Sequence, residues 1–230
     1  MKGHARMSGL SGLAFAALFV VALIFVQRAP GLGASDDAYA DFYRAGHGSD
    51  LVTVGLYLVP FAGIAFLWFM AATRTLVLAL PNASSPIQRF LQHASGVLFV
   101  ALLFAGTALV GAVALLTVFS DNPVPAPDVA RGMTGAGYGM VFVFGVRAAG
   151  MFLLTTTTLA RSCGLMRNWV AWISYLAGAF LLVSTTFHPA ILLVFPAWVV
   201  LVSVLALLRA GTFQEPGEPK VGDAELEGMP

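Results

Sequence analysis

The stretch YGMVFVFGVRAAGMFLLTTTTL, Tyr138–Leu159, decides the fold. It is long enough to cross a bilayer as a helix, which takes roughly 20 mainly apolar residues. It carries a single charge, Arg147. Working outward, five further runs have the same character: about Leu10–Val26, Leu51–Ala72, Ser95–Phe119, Trp169–Thr185 and Ala190–Leu208. No Asp or Glu lies inside any of the six, and Arg147 is the one basic residue that does. The pattern predicts an all-α polytopic membrane bundle of six transmembrane helices.

Composition agrees. The 230 residues are 59% hydrophobic and 10% charged, whereas soluble domains carry roughly a quarter charged residues. A net charge of +1 with no basic patch argues against nucleic-acid binding. The lone Cys163 excludes an internal disulfide and a multi-thiolate metal site.

Charges set the expected orientation. With the N-terminus in the cytoplasm, the inner segments hold Lys2, Arg6, Arg74, Arg89, Arg161, Arg167, Arg209 and Lys220, and the outer loops hold only Arg28, Arg44 and Arg131. Lys and Arg concentrate on the cytoplasmic side of membrane proteins, so both termini are expected inside. The acids sort the same way: Asp36, Asp37, Asp41, Asp50, Asp121 and Asp128 fall outside, and five lie in the tail. The first run is read as a retained span and not as a cleaved signal. Its apolar core of about 17 residues exceeds the usual h-region of roughly 7–15, and Ala38-Tyr39-Ala40 lies too far downstream of it. The domain layout is a transmembrane unit over residues 1–210 and a disordered acidic tail over 211–230, which has few apolar residues.

Between the spans, Ser35 is expected to cap a short outer helix with Asp36 and Asp37 at its positive end. Tyr39, Phe42 and Tyr43 share one face of it. That face either dips into headgroups or packs over the bundle. Ser85-Pro86-Ile87-Gln88 forms a capping box, so span three should start near Pro86. The loop SDNPVPAPDVARGMTGAG is predicted to be an extended connector, with GAGYG as a Gly-rich turn. Pro60 and Pro196 should kink their spans. Gly106, Gly111, Gly145 and Ala149 offer small surfaces for close helix contact.

Arg147 poses the chemical question. It lies about 14 Å into its helix at 1.5 Å per residue, where a charge marks a functional hypothesis by default. The sequence predicts that it points into the bundle, with Tyr57, the carbonyls freed by Pro60, Thr107, Ser174, Tyr175 or, through a cleft, Asp50 as partners. Gly150 leaves room beside it, and Thr155 and Thr158 continue its face. The tentative contact set is Arg147, Tyr57, Gly150, Thr155 and Tyr175. Two readings stand: an arginine that ties helices together, or an anion site for a lipid phosphate, a carboxylate ligand or an acid on a partner subunit. No HExxH, GxSxG or intramembrane acid pair is present, and the four His show no ligand spacing. No enzyme activity, cofactor or metal is expected.

From Arg147 the chain continues RAAGMFLLTTTTLARSCGLMRNWVAWISYLAGAFLLVS. This resembles a group of uncharacterised six-span membrane proteins abundant in actinobacteria, through Arg-x-x-Gly-Met-Phe, the Ser/Thr run, the Arg-containing turn and the aromatic start of the next span. Those proteins usually have Pro before the Arg-Trp pair, where this chain reads Met166-Arg167-Asn168-Trp169. The resemblance covers spans four and five. It implies that Arg147 belongs to a shared motif, and it implies a bacterial cytoplasmic membrane, but it carries no activity. The expected function is an accessory or scaffold subunit of a larger membrane complex, one that handles lipids; the bilayer itself, other membrane subunits and an anionic lipid are the expected partners. The alternative is a small transporter or a protein that binds an anionic lipid through Arg147.

Overall fold

The computed structural model describes residues 2–78, 86–120, 123–184 and 186–210. Among these residues there are helices and their connections and no strand. The order is α1 (Lys2–Val26), α2 (Asp36–Arg44), α3 (Gly48–Thr53), α4 (Val59–Leu78), α5 (Pro86–Phe119), α6 (Pro127–Tyr138), α7 (Val146–Ser162), α8 (Asn168–Val183) and α9 (Ile191–Ala210). A π-helical turn at Val54–Leu58 joins α3 to α4, and another at Gly139–Gly145 joins α6 to α7. Five continuous helices are long and apolar enough to cross a membrane: Gly3–Val26, Gly48–Val77, Pro86–Phe119, Pro127–Ser162 and Ile191–Leu208. The sixth predicted run is α8, apolar but only 16 residues long. Arg167 precedes its start, and the ring of Phe187 beyond its end lies tilted at 5.9 Å from that of Phe142.

Antiparallel packing follows from side chains that meet between helices. Near one face, the Ser8 and Thr73 hydroxyls pair at 2.9 Å between α1 and α4, and Gln92 Nε2 donates to Thr156 Oγ1 at 3.1 Å between α5 and α7. Tyr175 and Thr158 hydroxyls pair at 3.1 Å between α8 and α7, and Trp198 Nε1 donates to Ser174 Oγ at 2.9 Å between α9 and α8. This end carries Arg6, Arg74, Arg89, Arg161 and Arg167, and is the basic face. The opposite face carries α2 with Asp36, Asp37 and Asp41. Lipid tails are as apolar as Leu, so such bonds and close packing, not water exclusion, hold helices together. Glycines provide the closest approaches. A Cβ on Gly137 would strike the Gly106 carbonyl, one on Gly12 would strike Ser203, and one on Gly150 would lie 3.0 Å from the Gly178 carbonyl.

The core is aromatic. Phe66 is fully buried, with ring centroids of Phe15, Phe99, Phe152 and Phe195 at 5.1, 5.3, 5.1 and 5.5 Å. These come from α1, α5, α7 and α9, so one ring on α4 joins five helices. Phe15 of α1 is itself fully buried, which makes the first span part of the packed bundle.

The predicted start near Pro86 matches the first residue of α5. Ser85, of the capping box, lies outside the described residues, as does the tail from Gly211. The predicted extended connector is corrected: its second half forms α6. Pro127 stands in the first turn, where its missing N–H costs nothing, and Asp128 suits the positive end. The glycines of GAGYG have negative φ and let α6 lie against α5 instead of making a turn. Close packing outweighs their poor helix propensity. At Pro60 the chain adopts a π turn immediately upstream; the wider turn relieves the clash of the ring with the Leu56 carbonyl.

Ser35 caps α2 as predicted, accepting from the Ala38 N–H at 3.3 Å. Of the two readings of its aromatic face, the structure selects packing over the bundle. Tyr39 and Tyr43 are buried in a cluster with Leu51, Val110 and Ala130. Arg131 of α6 fastens the helix by donating to Asp36 Oδ1 at 2.7 Å and to the Ala34 carbonyl at 3.1 Å. Burial, reinforced by Tyr39 nearby, pushes the Tyr43 hydroxyl from 10.0 up to about 12. The unfolded chain releases this proton first, so the contribution is complete below the unfolded value and is lost as pH rises through the folded one. We expect α2 to release over that window, seen as a cooperative rise in tyrosinate absorbance. Tyr43→Phe should lower the amplitude of that step by one tyrosine; an unchanged amplitude, with the loss falling in the ordinary tyrosine range instead, would refute it.

Candidate functional site

Arg147 sits on the first turn of α7, directly after the π turn Gly139–Gly145. The π register shows in the Val146 N–H, which bonds the Val141 carbonyl five residues back. In this widened turn Arg147 Nη1 donates to the Val143 carbonyl at 2.7 Å. The side chain is partly buried. It does not point into the bundle. It lines an open groove of about 500 Å³ between α5 and α7. The α5 wall is Leu91, Ala94, Ser95, Leu98 and Leu102; the α7 side adds Phe144, Ala148 and Met151. Phe144 and Leu98 are exposed apolar residues at its rim, so the groove opens on the apolar perimeter of the bundle.

The prediction of an inward Arg147 is thus corrected, for a physical reason. A helical side chain leans toward the N-terminus of its own helix, and here that direction leads to a carbonyl in a distorted turn. One donor is satisfied without any other helix. The rest of the predicted set is dispersed. Tyr57 lies on the other π turn and is 59% exposed. Gly150 faces α8 through Gly178. Thr155 donates back to the Met151 carbonyl at 2.8 Å, and Tyr175 pairs with Thr158. Thr107 donates to the Leu103 carbonyl at 2.7 Å, Ser174 accepts from Trp198, and Asp50 faces Arg28 at 3.9 Å. Among the described residues Arg147 makes no ion pair, and the guanidinium has five N–H donors.

Sequence reasoning missed three features. The π turn that supplies the carbonyl shows in sequence only as Gly139 and Gly145 bracketing an apolar run. Gln92 reads as a surface residue of a capped helix start, yet it is buried on Thr156. The lining of the Arg147 groove includes small residues from both helices, Ala94 and Ser95 of α5 and Ala148 of α7, which no single-helix pattern reveals.

No family model, curated protein or solved structure matches the chain. Elsewhere the bundle holds a cavity of about 100 Å³ under the acidic face and one of about 60 Å³ near the basic face, the latter touching the Ser8, Thr73 and Thr156 hydroxyls. A cleft of about 260 Å³ lies among Arg74, Arg89 and His93. Among the described residues no three His, Cys, Asp or Glu side chains gather where they could hold a metal ion.

Proposed function

We propose that this chain is a six-span protein of a bacterial cytoplasmic membrane, with both termini inside, that serves as an accessory subunit by docking an acid-bearing helix of a partner at the Arg147 groove. The observation that carries the reading is a guanidinium that makes no ion pair among the described residues and lines an apolar groove on the perimeter of the bundle. Arg147 is roughly 21 Å along α7 from Arg161 and roughly 14 Å from Tyr138 at 1.5 Å per residue. Arg161 stands at the basic rim, so neither phosphate plane is close to the guanidinium. A carboxylate on a neighbouring span is the anion available at that depth, and intramembrane charges characteristically pair with one another. Ala94, Ser95 and Ala148 in the groove lining allow the close backbone approach that such a helix needs. An anionic lipid would have to bring its headgroup to mid-depth, so the helix is favoured over the lipid.

The orientation rests on the separation of the basic and acidic faces, which follows the positive-inside rule. Cys163, partly exposed after α7, is a natural probe of the basic face. In intact cells it should resist a membrane-impermeant maleimide and react after permeabilisation. Asp37→Cys, in a Cys163→Ser background, should react without permeabilisation. The reverse pattern would invert the topology. The partner itself should co-purify in mild detergent, and Arg147→Glu should release it.

A further inference from the structure

We propose that the cavity beneath the acidic face is a binding site for the apolar chain of a neutral, single-chain amphiphile that enters from that side. This site is separate from the Arg147 groove and does not depend on its reading. The cavity, about 100 Å³, is enclosed by α1, α4, α5, α9 and the turn before α7. Its polar side chains are distributed unevenly. Gln27 and Tyr138 stand at the upper end, beside Phe187, whereas Phe19, Val59 and Leu103 form an apolar floor. From Gln27 to Phe19 the depth is about 12 Å at 1.5 Å per residue. Thr107, also on the wall, has already spent its hydroxyl on the Leu103 carbonyl. The shape is that of a slot with a polar rim and a dry base, and it suits a molecule with a polar head above and a single chain below. No charged side chain lines it among the described residues, which selects a neutral head such as an alcohol.

A second observation converges on the same place. The π turn Gly139–Gly145 lines this cavity through Val141 and Phe142, with Tyr138 directly before it, and Val59, the first residue after the other π turn, lines it as well. π turns make up well under 1% of residues in proteins and are frequent at functional sites. Phe187 sits over the rim on the connection after α8, with its ring 5.9 Å from Phe142, and is 52% exposed.

The test uses the full chain in phosphatidylcholine nanodiscs and a long-chain alcohol carrying a diazirine at its chain end. After illumination, cross-linked peptides are mapped by mass spectrometry. The site predicts adducts on Phe19, Leu23 or Leu103, competed by excess unlabelled alcohol. Ala22→Phe fills the slot from the α1 wall and should cut these adducts about tenfold, the effect of denying burial to roughly two methylenes. Adducts on the lipid-facing Phe61 and Leu116 should not change. If Ala22→Phe does not yield folded protein, Val141→Phe fills the slot from the opposite wall and should give the same loss. Adducts confined to the perimeter, or wall adducts that survive both competitor and filling substitutions, would overturn the proposal and leave the cavity as a dry packing void.

Discussion

Replacing Phe66 by Ala is expected to destabilise the bundle by about 3–5 kcal/mol, the cost of truncating a fully packed Phe. The size of the effect follows from where the ring sits. Phe66 is wholly buried and meets rings from α1, α5, α7 and α9 at centroid distances of 5.1–5.5 Å. Within a bilayer the loss is not a return of apolar surface to water. It is a loss of dispersion contacts around a void that neighbouring rings, fixed by one another, cannot close. Tilted and edge-on ring pairs add a further 0.5–1.5 kcal/mol or so each. Phe61, on the same helix but 56% exposed, provides the control. Its truncation should cost no more than about 0.5 kcal/mol, as for surface positions generally. Unfolding both variants in mixed micelles of increasing denaturing detergent gives the comparison. Equal losses at the two positions would mean that the aromatic hub does not organise the bundle.

The second large effect concerns Arg147. Among the described residues its guanidinium makes one hydrogen bond, to the Val143 carbonyl in the π turn before α7. An Arg near the bilayer centre costs roughly 2.5–3.5 kcal/mol on insertion scales. Arg147→Leu should therefore leave the isolated bundle as stable as the wild type, or raise its stability, because groove neighbours such as Leu98 and Phe144 are themselves apolar. In the complex the sign reverses. Removing one member of a buried ion pair strands the other, at about 3–5 kcal/mol, which weakens association roughly a hundredfold or more. Arg147→Glu should be worse than Arg147→Leu, because two carboxylates then face each other. Arginine in place of the partner's acid should rescue Arg147→Glu. A residue that only ties its own helices together would behave otherwise: Arg147→Leu would lower the stability of the isolated protein, and no exchange of charge would restore it.

Much of this architecture is legible in the sequence. The apolar runs locate every long helix, because membrane insertion imposes length and polarity directly on the chain. The Ser35 cap and the Pro86 start were readable because their signals are local. The side on which Tyr39 and Tyr43 pack was not, because aromatics on one helix face suit either headgroups or a bundle. Reading α6 as a connector failed for a related reason. Pro and Gly signal turns only when nothing packs against them, and Gly137 lies against Gly106. The Gly9 and Gly12 contacts of α1 with Leu207 and Ser203 of α9 join residues nearly two hundred positions apart, and no local pattern links them. At the site, Arg147 itself stood out as the lone intramembrane charge. Its direction did not, because this depends on a π turn whose only trace in sequence is a pair of glycines. Polar residues elsewhere in the spans looked like its partners, but Tyr175 pairs with Thr158 and Ser174 with Trp198.

The central claim is that a partner's acidic helix lies in the groove between α5 and α7. A photoreactive amino acid at position 98, where Leu98 stands exposed on the groove rim, tests it in native membranes. The account predicts a discrete cross-linked protein whose attached peptide is a transmembrane segment carrying Asp or Glu. The adduct should be lost with Arg147→Glu and regained when that acid is replaced by Arg. Adducts to phospholipid alone, or a protein adduct indifferent to the charge at position 147, would contradict it.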